Sequence, residues 1–167
     1  LQATFAILPE LILAGASCGM LLLGPFLADN KPQASHSLSF RWMLLGLITI
    51  AIAAGVALVP LDAAPTKGPF DVDSLSDFVR LITFCIGPVL MMVLWRQVYD
   101  SCAAEAHACL LMLLAGVNLV ALAGNLIVLL LALELVSIPT YVLLFLPRQD
   151  VKVHEAVVKY FLLSIFS

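Results

Sequence analysis

The chain of 167 residues is 63% hydrophobic and 11% charged, with a net charge of −3 and a mean hydropathy of +1.12. Soluble domains hold about 45–50% apolar residues, so this composition reads as an all-α integral membrane protein, its apolar runs facing lipid. Its few charges lie scattered, which excludes a basic surface for nucleic acid and an acidic tail. The four cysteines, Cys18, Cys85, Cys102 and Cys109, have no C-x-x-C spacing and read as small apolar fillers rather than metal ligands or disulfide partners.

The chain opens on Leu1 with no positively charged segment ahead of its first apolar run, so no removable signal peptide is expected within it. Pro9 and Glu10 predict a helix start, with proline in the first turn and an acid at the positive end of the dipole. That first span is expected to end near Leu27, before a polar loop broken by Asn30 and Pro32 and carrying a solvated His36. A second span is predicted from Trp42 to Leu61, with Trp42 at the membrane interface. The acidic, Pro- and Gly-rich loop that follows ends in a capping pattern, with Ser74 or Ser76 capping a third helix from about Asp77 to Trp95. Pro88 predicts a kink in that helix, and Arg80 lies near enough to its end to snorkel outward. A fourth span is expected from His107 to Ala123, with Asn118 making an interhelical hydrogen bond. His107 and His154, at predicted helix starts, read as interfacial. Only Gly124 and Asn125 separate the fourth and fifth spans, which predicts a tight antiparallel hairpin.

The chemistry concentrates between Asn125 and Ser167. Asn125 to Leu146 is long enough to cross a bilayer, which takes about 20 residues, and it carries Glu134 near its middle. No Lys, Arg or His lies within a turn or two of that acid. After the polar turn PRQDVKVHE, a sixth helix is predicted from near Ala156, with Lys159 about one turn inside. An ionisable group at such depth costs about 2.5–3.5 kcal/mol on insertion scales and marks a candidate ion or proton pathway. Pro139 cannot donate to the carbonyl of Leu135, leaving an acceptor that can hold water near the acid. Ser137 and Tyr141, at i+3 and i+7 from Glu134, are candidates to extend a hydrogen-bonded path. Lys159 has two readings: it follows Glu155 by four residues, the favourable order for a simple helix-surface pair, or it is part of the pathway.

These residues resemble a known family. Asn118 to Ser167, with LALELVSIPTYVL followed by EAVVKYFLLSIFS, is similar to the N subunit of bacterial respiratory complex I, whose mitochondrial equivalent is NADH dehydrogenase subunit two. Weaker echoes are LPELIL at residues 8–13 and GPFDVDSLSDFVRLI before the third helix. The resemblance implies an antiporter-like proton-pumping subunit of roughly fourteen helices built on two inverted repeats, with about six of those helices present here. Residues 1–104 would form a three-helix transmembrane part and residues 105–167 the first three helices of the first repeat. It implies that Glu134 is a key charge of a proton half-channel, with Lys159 a secondary contributor and Pro139, Ser137, Tyr141 and Glu155 in support.

The same resemblance implies no cofactor in this chain. Flavin, iron-sulfur clusters and quinone are expected in partner subunits, and nothing in the sequence resembles a nucleotide fingerprint or a cysteine cluster site. Partners would be other membrane-arm subunits of complex I, above all neighbouring antiporter-like ones. The sixth helix is short for a hydrocarbon core of about 30 Å, so either the subunit continues or a second polypeptide completes it. The membrane would be bacterial or that of a non-animal mitochondrion. Lys31, Arg41, Arg96, Arg148 and Lys152 on one side against Lys67 and Arg80 on the other predict an external N-terminus. The alternatives are a related subunit of a cation/proton antiporter or membrane-bound hydrogenase, or a purely structural membrane module.

Overall fold

The computed structural model describes residues 7–27, 37–58, 69–98, 102–146 and 151–165. Six helices follow in chain order: α1 (Leu8–Leu27), α2 (Ser37–Ala57), α3 (Ser74–Gln97), α4 (Ala103–Ala121), α5 (Leu126–Phe145) and α6 (Val151–Ile165). The first five are long and apolar enough to cross a membrane. The sixth has 15 residues, about 22 Å of helix, short as expected, so five full-length spans stand among the described residues. Asn30, Pro32, Lys31, His36, Leu61, Lys67, Arg148 and Ser167 lie outside the described residues, as do the side chains of Lys152 and His154.

α4 is the axis of the bundle: it packs against α1, α2, α3 and α5, whereas α6 packs on α5. Its sequence explains the position. Ala103, Ala104, Ala106, Ala108, Ala115 and Gly116 are all buried, and small residues let helix backbones approach closely where lipid supplies no hydrophobic drive for association. A Cβ on Gly24 of α1 would lie 2.6 Å from Ala104 Cβ. The Ser17 hydroxyl of α1 donates to the Ala108 carbonyl at 2.7 Å, and these two contacts make α1 and α4 antiparallel. Gly87 of α3 faces Leu114 and Ile50, and Gly46 of α2 faces Met91. Leu13, Ile50, Met91 and Leu111 fill the core between these helices.

Several boundaries differ from expectation. α3 is capped by Asp73, whose carboxylate accepts from the Ser74 amide at 2.7 Å. Ser76 supplies the other half of a capping box, its hydroxyl accepting from the Asp73 amide at 3.0 Å. The carboxylate is the better acceptor for free helix amides, so it takes the cap ahead of the serines. α2 begins at Ser37, before Trp42, and Trp42 is buried in the bundle rather than at its rim. α4 begins at Ala103, which places His107 a full turn inside it. α6 begins at Val151, so the stretch VKVHE belongs to the helix and not to a turn.

Between α4 and α5 the connection is short but longer than expected, because α4 ends at Ala121 and α5 begins at Leu126, which leaves residues 122–125 between them. Asn125 caps α5, its side chain accepting from the Val128 amide at 2.8 Å. The segment ahead of α3 braces this turn: the Asp71 amide donates to Leu122 O at 2.9 Å and the Gly124 amide to Pro69 O at 3.0 Å. All four cysteines are free.

Candidate functional site

Glu134 stands on the exposed face of α5 with Ile127, Leu130, Leu131 and Ile138, all more than half exposed. The opposite face, with Ala132 and Pro139, is buried. At the Leu135–Val136 peptide, α5 runs against α4: a Cβ on Gly116 would lie 3.0 Å from Val136 N and 3.1 Å from Leu135 C. The carbonyl that Pro139 leaves free therefore sits on the side of α5 toward α4, while Glu134 points away from it. The Ser137 hydroxyl donates to the Leu133 carbonyl at 2.8 Å, a bond within its own helix. Tyr141 meets α6, its ring 5.5 Å from Tyr160 and 5.3 Å from Phe161, both edge to face. Its level on α5 is seven residues, about 10 Å, from Glu134.

Lys159 donates to Glu155 Oε1 at 2.6 Å, with both side chains more than half exposed. The local helix pair is thus formed, and the structure brings Lys159 beside Glu155 and next to the Tyr141 contact rather than beside Glu134.

The N-terminal helices hold a second, buried set of polar groups. Glu10 of α1, 2% exposed, and Arg80 of α3, 8% exposed, form a two-pronged ion pair. Arg80 Nε donates to Glu10 Oε1 at 2.8 Å and Nη2 to Oε2 at 3.0 Å. Arg80 does not snorkel outward: a carboxylate in the facing helix gives its guanidinium matched acceptors inside the bundle. Asp77, one turn back, adds an exposed contact at 3.6 Å.

His107 is fully buried rather than interfacial. Its Nδ1 lies 2.6 Å from the Ala103 carbonyl, which can only accept, so the proton sits on Nδ1. Asn118 is also fully buried, and neither of its amide atoms has a partner among the described residues, so the expected interhelical bond is not formed. Gly116 faces α5, and two residues further on Asn118 is turned about 200° around the helix, toward the α3 side that Leu114 faces. Neither half of the Glu10–Arg80 pair was assigned to the other from sequence. The available signal is Glu10, the one charged residue of α1, set against Arg80 in an apolar span whose other charges, Asp77 and Arg96, lie closer to its ends.

Among the described residues no cluster of His, Cys, Asp and Glu has the makings of a metal site. The fold is that of an all-α, multi-pass membrane protein, and residues 123–167 match the family model described as NADH:quinone oxidoreductase/Mrp antiporter, transmembrane. The class is therefore an all-α, multi-pass membrane protein in which residues 123–167 are similar to an antiporter-type membrane domain.

The individual relatives are more specific. NADH-quinone oxidoreductase subunit N 1 of Solibacter usitatus is 30% identical over 99% of this chain and 34% of its own length. Subunit N of Maricaulis maris is 29% identical over 96% of the chain and 33% of the relative. That of Beijerinckia indica is 32% identical, again over 96% and 33%. The resemblance to subunit N holds along nearly the whole chain, which spans about a third of the length of these relatives.

Proposed function

We propose that this chain forms part of a proton-translocating membrane-arm subunit of NADH:quinone oxidoreductase, contributing Glu134 to a half-channel. The observation that carries the reading is an acid in the middle of an apolar span, on a face with no local countercharge, inside the segment that matches the antiporter-type membrane domain. A carboxylate left facing hydrocarbon costs about 2.5–3.5 kcal/mol. Its face is therefore covered in the assembled protein by a further part of the same subunit or a second polypeptide that supplies a partner or water. Lys159 serves as a secondary group: its pairing with Glu155 is surface-exposed, held by little energy and easily exchanged. Tyr141 seats α6 on α5, Ser137 lies one turn beyond the acid, and Pro139 shapes the helix on its α4 side. Residues 105–167 would begin the first antiporter-like repeat, with residues 1–104 a supporting three-helix part. The N-terminus lies outside, in a bacterial or non-animal mitochondrial membrane. Flavin, iron-sulfur clusters and quinone are held by partner subunits, which carry out the redox chemistry.

The family description also includes Mrp antiporters, which favours cation/proton exchange as the second reading. Purifying the native assembly through this subunit separates the two. NADH-oxidising, flavin-containing partners and NADH-driven proton pumping support the first. An assembly without them that exchanges cations for protons replaces it with the second.

A further inference from the structure

Besides the acid itself, α5 carries a close helix–helix contact one residue beyond it. α4 meets α5 backbone to backbone at Gly116, where an added Cβ would lie 2.8 Å from Val136 Cγ2, 3.0 Å from Val136 N and 3.1 Å from Leu135 C. The peptide it touches, Leu135–Val136, lies one residue beyond Glu134. Its carbonyl, that of Leu135, receives no hydrogen bond from Pro139, which is buried on the same side of α5 and has no N–H to donate. At Gly87 and Gly46 the glycine contacts are of another kind. A Cβ on Gly87 would meet Leu114 Cδ1 at 2.9 Å and Ile50 Cδ1 at 3.4 Å, and one on Gly46 would meet the end of Met91. Those neighbours are the tips of flexible side chains and can rotate away. Backbone atoms of a helix cannot.

We infer that Gly116 is a positioning residue for Glu134: by letting α4 touch the Leu135–Val136 peptide, it sets how far α5 stands from the bundle and so where the carboxylate is presented. The inference rests on the proposed role of Glu134. A methyl group at position 116 needs ordinary contact distances of about 3.5–4.0 Å, so α5 must move outward as a body by roughly 0.5 Å. Glu134 lies on the far side of the same turn and moves with it. A misplacement of about 1 Å at a reacting group can cost on the order of a hundredfold in rate. Half that displacement predicts about a tenfold slowing of transfer through the acid.

The test uses the assembled enzyme carrying the full-length subunit, in proteoliposomes, and reads the initial rate of NADH-driven proton pumping, with protons pumped per NADH oxidised beside it, at equal subunit content. Gly116→Ala should assemble and lose at least half of the pumping that Glu134→Gln loses, while Gly87→Ala keeps wild-type pumping. Adding Val136→Ala to Gly116→Ala should not restore pumping, because the backbone contacts remain after the Cγ2 contact is gone. If Glu134→Gln pumps normally, the underlying reading fails and this inference with it. If Glu134→Gln loses pumping and Gly116→Ala does not, the positioning role alone is overturned. Failure of Gly116→Ala to assemble, an equal loss in Gly87→Ala, or rescue by Val136→Ala would each show ordinary packing in its place.

Discussion

Replacing Arg80 by Leu should destabilise the protein far more than any change on the Lys159 side. Arg80 and Glu10 are joined by two bonds of 2.8 and 3.0 Å and are almost wholly shielded. Removing one member of a buried pair leaves the other charge uncompensated, at a cost of about 3–5 kcal/mol. Arg80→Leu strands the Glu10 carboxylate, and Glu10→Leu takes from the guanidinium its two shielded bonds to a carboxylate. The contact to Asp77 changes this little, since an exposed ion pair contributes about 0–1 kcal/mol. The double variant Glu10→Leu/Arg80→Leu strands neither charge and fills the site with apolar atoms, so it should return close to wild-type stability. Reversible unfolding of the full-length subunit in mixed detergent micelles, run as a double-mutant cycle, measures the coupling directly. A coupling of several kcal/mol is expected, well beyond the additivity error of about 0.5 kcal/mol. Single variants indistinguishable from wild type, or a double variant that equals the sum of two large losses, would refute the account of a shielded pair.

Other consequences follow from the same contacts. Gly24→Ala forces a Cβ to within 2.6 Å of Ala104 Cβ on the neighbouring helix, so unfolding should show a loss of about 1–3 kcal/mol. Gly19→Ala, with nothing within 4 Å of the new Cβ, should instead gain up to about 1 kcal/mol from helix propensity; a loss would mean that α1 packs differently there. Glu155→Gln breaks the 2.6 Å bond to Lys159 and should change stability by less than about 0.5 kcal/mol, as for an exposed i,i+4 pair. Tyr141→Ala removes both aromatic contacts to α6, each worth about 0.5–1.5 kcal/mol beyond area burial. Limited proteolysis should then cut more quickly at the α5–α6 connection, and an unchanged cleavage rate would count against that docking.

What could be read from sequence follows the physics of each feature. The extents of α1 and α5 are visible because uninterrupted apolar length is what a bilayer demands, and the α4–α5 connection is visible because Gly124 and Asn125 interrupt the apolar run, although the apolar Leu122 and Ala123 hide that α4 stops at Ala121. The start of α3 was misplaced because DVDSLSD offers several caps at once, and only the fold shows that Asp73 takes the role. In VKVHE, polarity suggested a turn, yet a polar first turn is compatible with a helix that emerges from the membrane. The central position of α4 is hidden for a deeper reason. In lipid, apolar character does not separate a helix facing lipid from one facing protein. α5 is thus largely exposed within these helices while the alanine-rich α4 is enclosed. The Glu10–Arg80 pair spans 70 residues, beyond any local pattern.

As for the candidate site, the sequence exposes Glu134 because a lone acid in an apolar span has no structural excuse. It does not reveal that Pro139 and the Leu135 carbonyl lie on the opposite side of α5, against Gly116. Nor does it decide between the two readings of Lys159, whose bond to Glu155 the structure shows formed.

The most direct test of the account is the number of protons pumped per NADH oxidised by the purified assembly carrying Glu134→Gln, with Glu134→Asp beside it. The amide keeps the shape and removes the titratable group, so the assembly should remain intact while pumping falls, and the aspartate should retain part of it. Full pumping by Glu134→Gln in an intact assembly would contradict the role assigned to this acid, and loss of assembly would make it a structural partner instead.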